Sequence, residues 1–184
     1  MSNYLELKTP VRYSAEWFAR LREATAAEKI PVKWQTRFFH ITAAFIENDS
    51  MVREIAEAFD RILSNQDAPE LTFDKVDVFE AKTGGDFIVN LTATQPTEEF
   101  SSLIGTLREE VFKAGADIDG EFILHVTLGR IKGAEIKLDQ LKRITDGIHV
   151  PPFTMLLHEA EYRYFKGDSI RCWTLNTEYR RTIY

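Results

Sequence analysis

Hydrophobic and polar residues follow two different periods along this chain, and the switching between them predicts alternating strands and helices. Four segments place apolar residues three and four positions apart, as one buried helix face requires. Three are counted from the residue expected to cap each helix, Ser14–Glu28, Ser50–Leu63 and Thr97–Gly115, and the fourth is a short helix around Leu138–Thr145. Seven other stretches are expected to be strands: Tyr4–Thr9, the stretch after Pro31, Leu71–Ala81, Phe87–Thr94, Glu121–Ile131, Phe153–Tyr164 and Ser169–Asn176.

The stretch after Pro31 alternates between two faces. It places Phe39, Ile41, Ala43 and Phe45 on one face and His40 and Thr42 on the other. A later strand repeats the plan with His125 and Thr127. Each half of the chain therefore has a helix followed by a long strand that carries His-x-Thr. This repetition predicts an α+β fold with a duplicated β-α-β plan, in one domain spanning residues 1–184.

Each His-x-Thr pair presents an imidazole and a hydroxyl on the same face of its strand, because residues i and i+2 point to the same side. Phosphodiester chemistry needs a general base on the nucleophile and a general acid on the leaving oxygen. Histidine serves either role near neutral pH, and threonine hydroxyls can donate to the phosphate oxygens. His40, Thr42, His125 and Thr127 are therefore the candidate catalytic residues.

Chance alone rarely produces two such pairs. With 16 threonines in 184 residues, a histidine has a threonine two places on in about 9 % of cases, and two hits among four histidines arise in about 4 %. The other histidines, His149 and His158, have no such partner. We expect both to be structural, His149 in a loop and His158 in a strand.

Composition narrows the class of protein. The chain is 44 % hydrophobic and 28 % charged, which is typical of a globular domain. It has no run of about 18 apolar residues to span a membrane and no export signal at its start. Its single cysteine, Cys172, cannot form an internal disulfide and fits a cytoplasmic protein. Without a CxxC or Cys/His cluster we expect no metal site and no cofactor.

Charge is unevenly distributed along the chain. The net charge of −6 divides into +3 for residues 1–46, −11 for residues 47–119 and +2 for residues 120–184. An acidic chain is a poor match for long duplex nucleic acid, whose affinity comes from many neutralised phosphates. Both motifs, however, lie in the mildly basic ends. This arrangement favours recognition of a terminal phosphate or a small nucleotide.

A family resemblance is carried by the two motifs and by the strand, strand, helix pattern between them. The motifs are Arg37-Phe-Phe-His-Ile-Thr-Ala43 and Ile123-Leu-His-Val-Thr-Leu-Gly-Arg130. The chain resembles the two-histidine (2H) phosphoesterase superfamily, in its branch of 2′-5′ RNA ligase-like and RNA 2′,3′-cyclic phosphodiesterase proteins. The resemblance implies two lobes with antiparallel sheets around a central cleft, helices outside, and one motif from each lobe. It also implies His40 as the acid and His125 as the base, with Thr42 and Thr127 on the phosphate.

Three further residues are candidates for substrate binding. The resemblance implies Arg130 as a phosphate ligand, although strict alternation turns it away from His125 unless the strand bulges near Gly129. Trp34 and Phe38 are even-numbered like His40 and could stack on a base. The approach to the first motif, residues 35–39, departs from the family pattern, as does Ala43, where leucine is common.

Two classes of function remain open at the level of sequence. The first is a metal-independent phosphoric diester hydrolase, opening 2′,3′-cyclic phosphates of RNA ends or nucleotides, with a 2′-5′ RNA ligase or 2′,5′-phosphodiesterase as its nearest variant. The second is a non-catalytic module that holds a nucleotide in the same cleft. Retention of both histidines and both threonines favours the enzyme. We expect it to be a monomer.

Overall fold

A computed structural model describes residues 2–47, 50–82, 84–118, 120–133 and 136–177. The described chain contains four helices: α1 (Glu16–Ala27), α2 (Val52–Leu63), α3 (Glu98–Lys113) and α4 (Leu138–Asp146). Its ten strands are β1 (Asn3–Lys8), β2 (Lys33–Trp34), β3 (His40–Ile46), β4 (Glu70–Phe73), β5 (Lys75–Glu80), β6 (Phe87–Thr92), β7 (Val126–Ile131), β8 (Phe153–Leu156), β9 (Glu159–Tyr164) and β10 (Ser169–Thr174).

The main sheet is antiparallel and consists of two half-sheets that meet along β3 and β7. Its strand order is β10-β9-β1-β3-β7-β6-β5, and β2 pairs with β7 beside β3. Strands β3 and β7 share a single residue pair, Ile41 with Val126, whereas the other neighbours in the main sheet pair over longer ladders. The mixed α+β architecture of antiparallel sheets is the one expected from the sequence.

Helices cover one face of this sheet in two pairs. Helices α2 and α3 pack together and contact β10 and β3, while α1 and α4 pack together and α4 lies along β5. Residues that point to the helices are fully buried, among them Leu5, Leu7, Ile41, Val126 and Leu128. The opposite face is polar and partly open, and we call it the cleft face.

The helix starts show which capping expectations are correct. Thr97 caps α3 as predicted: its hydroxyl accepts a hydrogen bond from the Phe100 amide at 3.2 Å, and Gly115 follows the helix at φ +82°. The expected cap at Ser14 is wrong, because α1 begins one residue later with Ala15 at its N-cap. Helix α2 likewise has Met51 rather than Ser50 at that position.

Two expected long strands are each divided in the structure. The stretch 71–81 breaks at Asp74, whose carboxylate accepts hydrogen bonds from the Thr94 amide and hydroxyl. The stretch 153–164 breaks at residues 157–158. Both breaks have one cause: β4 and β8 leave the main sheet and pair with each other. His158 consequently lies in the connection between β8 and β9, not in a strand as expected, while His149 lies in a loop as expected.

Candidate active site

The two His-x-Thr motifs meet where the half-sheets join. His40 directly precedes Ile41 and His125 directly precedes Val126, the residues of the only pair between β3 and β7 in the described chain. An antiparallel register through this pair places His40 across from Thr127, and Thr42 across from His125. All four side chains are partly exposed, while Ile41 and Val126 between the members of each pair are fully buried. Each histidine therefore lies close to the threonine of the other motif.

Both imidazole rings are oriented by the same local contact. Nδ1 of His40 lies 3.1 Å from the carbonyl oxygen of Phe38, and Nδ1 of His125 lies 2.7 Å from that of Ile123. A carbonyl oxygen only accepts hydrogen bonds, so each Nδ1 carries the proton and donates it. Nε2 of each ring is thereby the nitrogen without a proton in the neutral form.

The surroundings of His125 favour its neutral form. Burial of the ring is the main cause that lowers the pKa of His125 below its ordinary value, and positive charge on His40 and Arg130 lowers it further. The hydrogen bond to the Ile123 carbonyl acts in the opposite direction. Phe79 of β5 packs edge-on against the ring, with centroids 5.1 Å apart. A neutral imidazole with Nδ1 protonated presents the Nε2 lone pair, as a general base requires.

His40 has a different neighbourhood. Oε2 of Glu6, a residue only 5 % exposed, lies 3.4 Å from Nδ1 of His40. The ring of Tyr4 lies 5.8 Å from the His40 ring. Thus one histidine of the pair has a carboxylate beside it, and the other has a cation.

A β-bulge in β3 changes the face of Phe45. In the pairing of β1 with β3, Glu6 faces Thr42 and Leu5 faces Ala44, so Ala43 is the extra residue. Beyond the bulge, Phe45 lies opposite Tyr4 with its ring stacked at 6.3 Å. The expectation that Phe45 shares the buried face of Ile41 is therefore wrong. Phe45, Tyr4 and Phe165 form an aromatic cluster on the cleft face.

A second bulge, in β7, changes the face of the sheet on which Arg130 lies. Asn90 of β6 pairs with Thr127 and Val89 pairs with Gly129, so Leu128 is the extra residue. Beyond it Arg130 is exposed while Ile131 is buried, and the charge of Arg130 reaches His125. The two strands thus share one pattern, in which the residue five places after the histidine returns to the cleft face: Phe45 in β3 and Arg130 in β7.

Gly129 is required by the close packing of β2 against this bulge. A Cβ at this position would lie 2.6 Å from Cγ1 of Val32 and 2.8 Å from Cε3 of Trp34. We expect Gly129→Ala to lower the free energy of unfolding by about 1–3 kcal/mol, because β2 must move. Gly105→Ala is the control: this exposed glycine inside α3 has open space around it, and alanine should stabilise by about 0.5–1 kcal/mol. Urea denaturation measures both, and equal stability of Gly129→Ala and the natural chain would contradict the packing argument.

Trp34 and Phe38 occupy different environments. Trp34 packs edge-on against the buried ring of Phe18 in α1, 5.5 Å between centroids, and covers Gly129. Phe38 is 75 % exposed at φ +60°, with the Arg37 guanidinium 4.9 Å above its ring. The Gln35 side chain donates to the carbonyl of Arg37 and fixes this loop. Trp34 thus contributes to packing under the site, and Phe38 stands at its rim.

Most acidic residues of the segment 47–119 are expected to lie away from the cleft, and the net charges of the segments indicate their positions only in part. Glutamates of α2 and α3 lie on the helical side of the sheet, where Glu57 pairs with Arg53 and Glu110 with Lys113. Glu6, beside the histidine pair, comes from a segment of net positive charge instead.

The described residues contain no cluster of three or more His, Cys, Asp or Glu side chains able to hold a metal ion, and no described helix is long and apolar enough to cross a membrane.

The sequence itself places this chain in the two-histidine (2H) phosphoesterase superfamily. A model of the 2′-5′ RNA ligase superfamily matches residues 10–167, and the chain belongs to that family. No curated protein matches it in sequence. Among solved structures, LigT of E. coli complexed with 3′-AMP is similar with a TM-score of 0.60 and 18 % identity, covering 95 % of this chain and 97 % of LigT. Usb1 of Kluyveromyces marxianus gives 0.63 and 12 %, covering 95 % and 98 %. At these identities the likeness establishes a shared fold.

Proposed function

We propose that this protein opens 2′,3′-cyclic phosphates, on RNA ends or on nucleotides, by acid–base catalysis between its two histidines and without a metal ion in the chemical step. The observation that carries the proposal is the pairing of Ile41 with Val126, which brings the two histidines onto neighbouring strands. Each ring has its Nδ1 against a backbone carbonyl, which supports Nε2 as the atom that meets the substrate. The groups that this reaction needs are all supplied by side chains of the chain.

His125 acts as the base and His40 as the acid. Nε2 of His125 takes a proton from water as the water oxygen bonds to phosphorus. The bond from phosphorus to one ribose oxygen breaks, and Nε2 of His40 delivers its proton to that oxygen. The product is a 2′- or 3′-phosphomonoester. The lowered pKa of His125 supports its assignment as the base.

The threonines and Arg130 bind the phosphate. The hydroxyls of Thr42 and Thr127 have no hydrogen-bond partner in the described part of the chain, and Arg130 has no ion-pair partner there. Both kinds of group stabilise charge on the non-bridging oxygens as the transition state forms. Phe38 stands at the rim, where its ring can stack on a base. The nucleotides named with the similar structures, 3′-AMP with LigT and uridine monophosphate with Usb1, are of the expected size and chemistry.

The proposal is tested by presenting the protein with a panel of substrates. The panel contains the four 2′,3′-cyclic mononucleotides, a short RNA ending in a 2′,3′-cyclic phosphate, and a 2′,5′-linked dinucleotide, with 3′,5′-cyclic AMP as the matched control. We expect turnover of the 2′,3′-cyclic compounds in the presence of EDTA and none of the control. Phosphorus NMR identifies the monoester isomer.

The pH dependence of the same reaction checks the assignment of the base. Free imidazole titrates near pH ~6.5, and the pKa of His125 lies below its ordinary value. His125 is therefore already neutral in mildly acidic solution, and the acidic limb of kcat/KM should fall below pH ~6.5. Loss of activity in EDTA, or tight nucleotide binding by calorimetry with no turnover, would contradict the proposed reaction.

A further inference from the structure

A buried carboxylate contacts one histidine of the pair and not the other. Glu6 lies on β1 with its side chain facing Thr42, and its Oε2 is 3.4 Å from Nδ1 of His40. Tyr4 lies two residues earlier on the same face; burial first, and then the charge of Glu6, raises the pKa of Tyr4 to about 12. The Tyr4 hydroxyl thus keeps its proton beside the carboxylate.

From this contact we propose that Glu6 is the positioning residue that makes His40 the proton donor of the pair. The inference deepens the proposed function and rests on it. It is drawn from β1, which precedes residues 10–167, the part matched by the family model.

The argument depends on the difference between the two rings. His40 and His125 have the same backbone contact at Nδ1, so that contact cannot distinguish a donor from an acceptor. Beside His40 the further group is the Glu6 carboxylate, which stabilises a ring carrying two protons through Coulomb attraction. Beside His125 the further group is the Arg130 cation, which disfavours such a ring. The negative charge lies on the side of the acid and the positive charge on the side of the base.

The other charges near His40 are largely matched among themselves. Lys8 of β1 lies 2.7 Å from Glu161 of β9, and Arg163 lies 3.8 Å from the other oxygen of Glu161. Hydrogen bonding to Glu161 is the main cause that raises the pKa of Lys8. The titratable and charged groups facing His40 and its neighbours are Tyr4, Glu6 and Lys8 from β1, Glu161 and Arg163 from β9, Cys172 from β10, and His125 and Arg130 from β7. Among the described carboxylates, Glu6 is the one in contact with the ring.

Glu6→Gln tests the inference, because glutamine keeps the shape and a hydrogen-bond acceptor but removes the charge. We expect kcat for a 2′,3′-cyclic nucleotide to fall about tenfold or more with little change in KM, since the loss concerns proton donation and not binding. In nitrogen-15 NMR spectra recorded at one fixed pH, the His40 Nδ1 resonance should move in Glu6→Gln, because the charge 3.4 Å away is removed. The His125 resonances should stay where they are in the natural chain.

Glu161→Gln is the matched control, because Glu161 is similarly buried, at 7 % exposed, and lies opposite Glu6 in the neighbouring strand without contacting His40. We expect its His40 spectrum and its kcat to match those of the natural chain. An unchanged His40 Nδ1 resonance in Glu6→Gln, or the same change in Glu161→Gln, overturns the inference. The NMR comparison needs no substrate, so it reports on Glu6 even if the protein opens no cyclic phosphate.

Discussion

Replacing either histidine of the pair by alanine should reduce kcat for opening a 2′,3′-cyclic phosphate by a factor of about 10²–10⁴, the usual contribution of a positioned acid or base. His40→Ala and His125→Ala are expected to be similar, because proton donation and proton removal belong to one displacement step. For the same reason the double variant should be little worse than either single variant, as is typical of groups that act as a unit. Single-turnover kinetics on a cyclic mononucleotide measures the loss.

His158→Ala is a matched control for both variants. Nδ1 of His158 contacts the carbonyl of Leu156, two residues earlier, with the same local geometry as His40 and His125. Its neighbour at i+2, however, is Ala160, and it lies beyond β8, away from the junction of β3 and β7. Activity should therefore remain unchanged in His158→Ala. If His40→Ala or His125→Ala retained most of the activity, acid–base catalysis by the pair would be wrong.

Arg130→Ala is expected to have the next largest effect. If the guanidinium binds a non-bridging oxygen of the phosphate, its loss removes stabilisation where charge accumulates, and kcat/KM should fall by about 10²–10³. Arg130→Lys should restore only part of the activity, because an ammonium group cannot form two parallel hydrogen bonds to the phosphate. Steady-state kinetics on the same substrate series separates the effects on kcat and KM.

Lys132→Ala is the control for Arg130→Ala, because it removes a positive charge near the site without removing Arg130. Lys132 is exposed just beyond the end of β7, two positions from Arg130. We expect its removal to change kcat/KM less than twofold at physiological salt, where charges beyond about 8 Å are largely screened. Equal losses in Lys132→Ala and Arg130→Ala would show that Arg130 acts through general charge and not through contact with the phosphate.

The sequence predicts most of the elements because burial follows their periods. The stripe of α3 is an example: Phe100, Leu103, Ile104, Leu107 and Val111 are all buried as expected. Periodicity does not reveal where a strand leaves its sheet, and so the divisions at Asp74 and at residues 157–158 were not anticipated. Those divisions arise from pairing between β4 and β8, which are about 80 residues apart.

The candidate site shows the same limit at a finer scale. The two motifs are visible in the sequence because His and Thr two apart must share a face. The bulge in β3 is not visible, and the sequence names the bulge near Gly129 only as a condition for Arg130 to reach the cleft, since each bulge depends on how a neighbouring strand pairs. They nevertheless decide which residues face the cleft, and strict alternation places both Phe45 and Arg130 on the wrong side. Glu6 was also missed: its signal is only a charged residue between Leu5 and Leu7, which becomes informative once β1 is known to pair with β3.

Two distances describe how the four motif side chains are placed: the distance between histidine and threonine within a motif, and the distance between the two motifs. The single pair that joins β3 to β7 affects only the second of them. Within each motif the histidine and the threonine lie two residues apart, which spans about 6.6 Å of extended chain. Between the motifs, the pairing of Ile41 with Val126, both fully buried, sets the distance between the two histidines. In the reaction proposed above, the proton donor and the proton acceptor stand on opposite sides of the phosphate, so this second distance decides their alignment. Two aliphatic residues on the helical side of the sheet would therefore govern the alignment of two side chains on the cleft face.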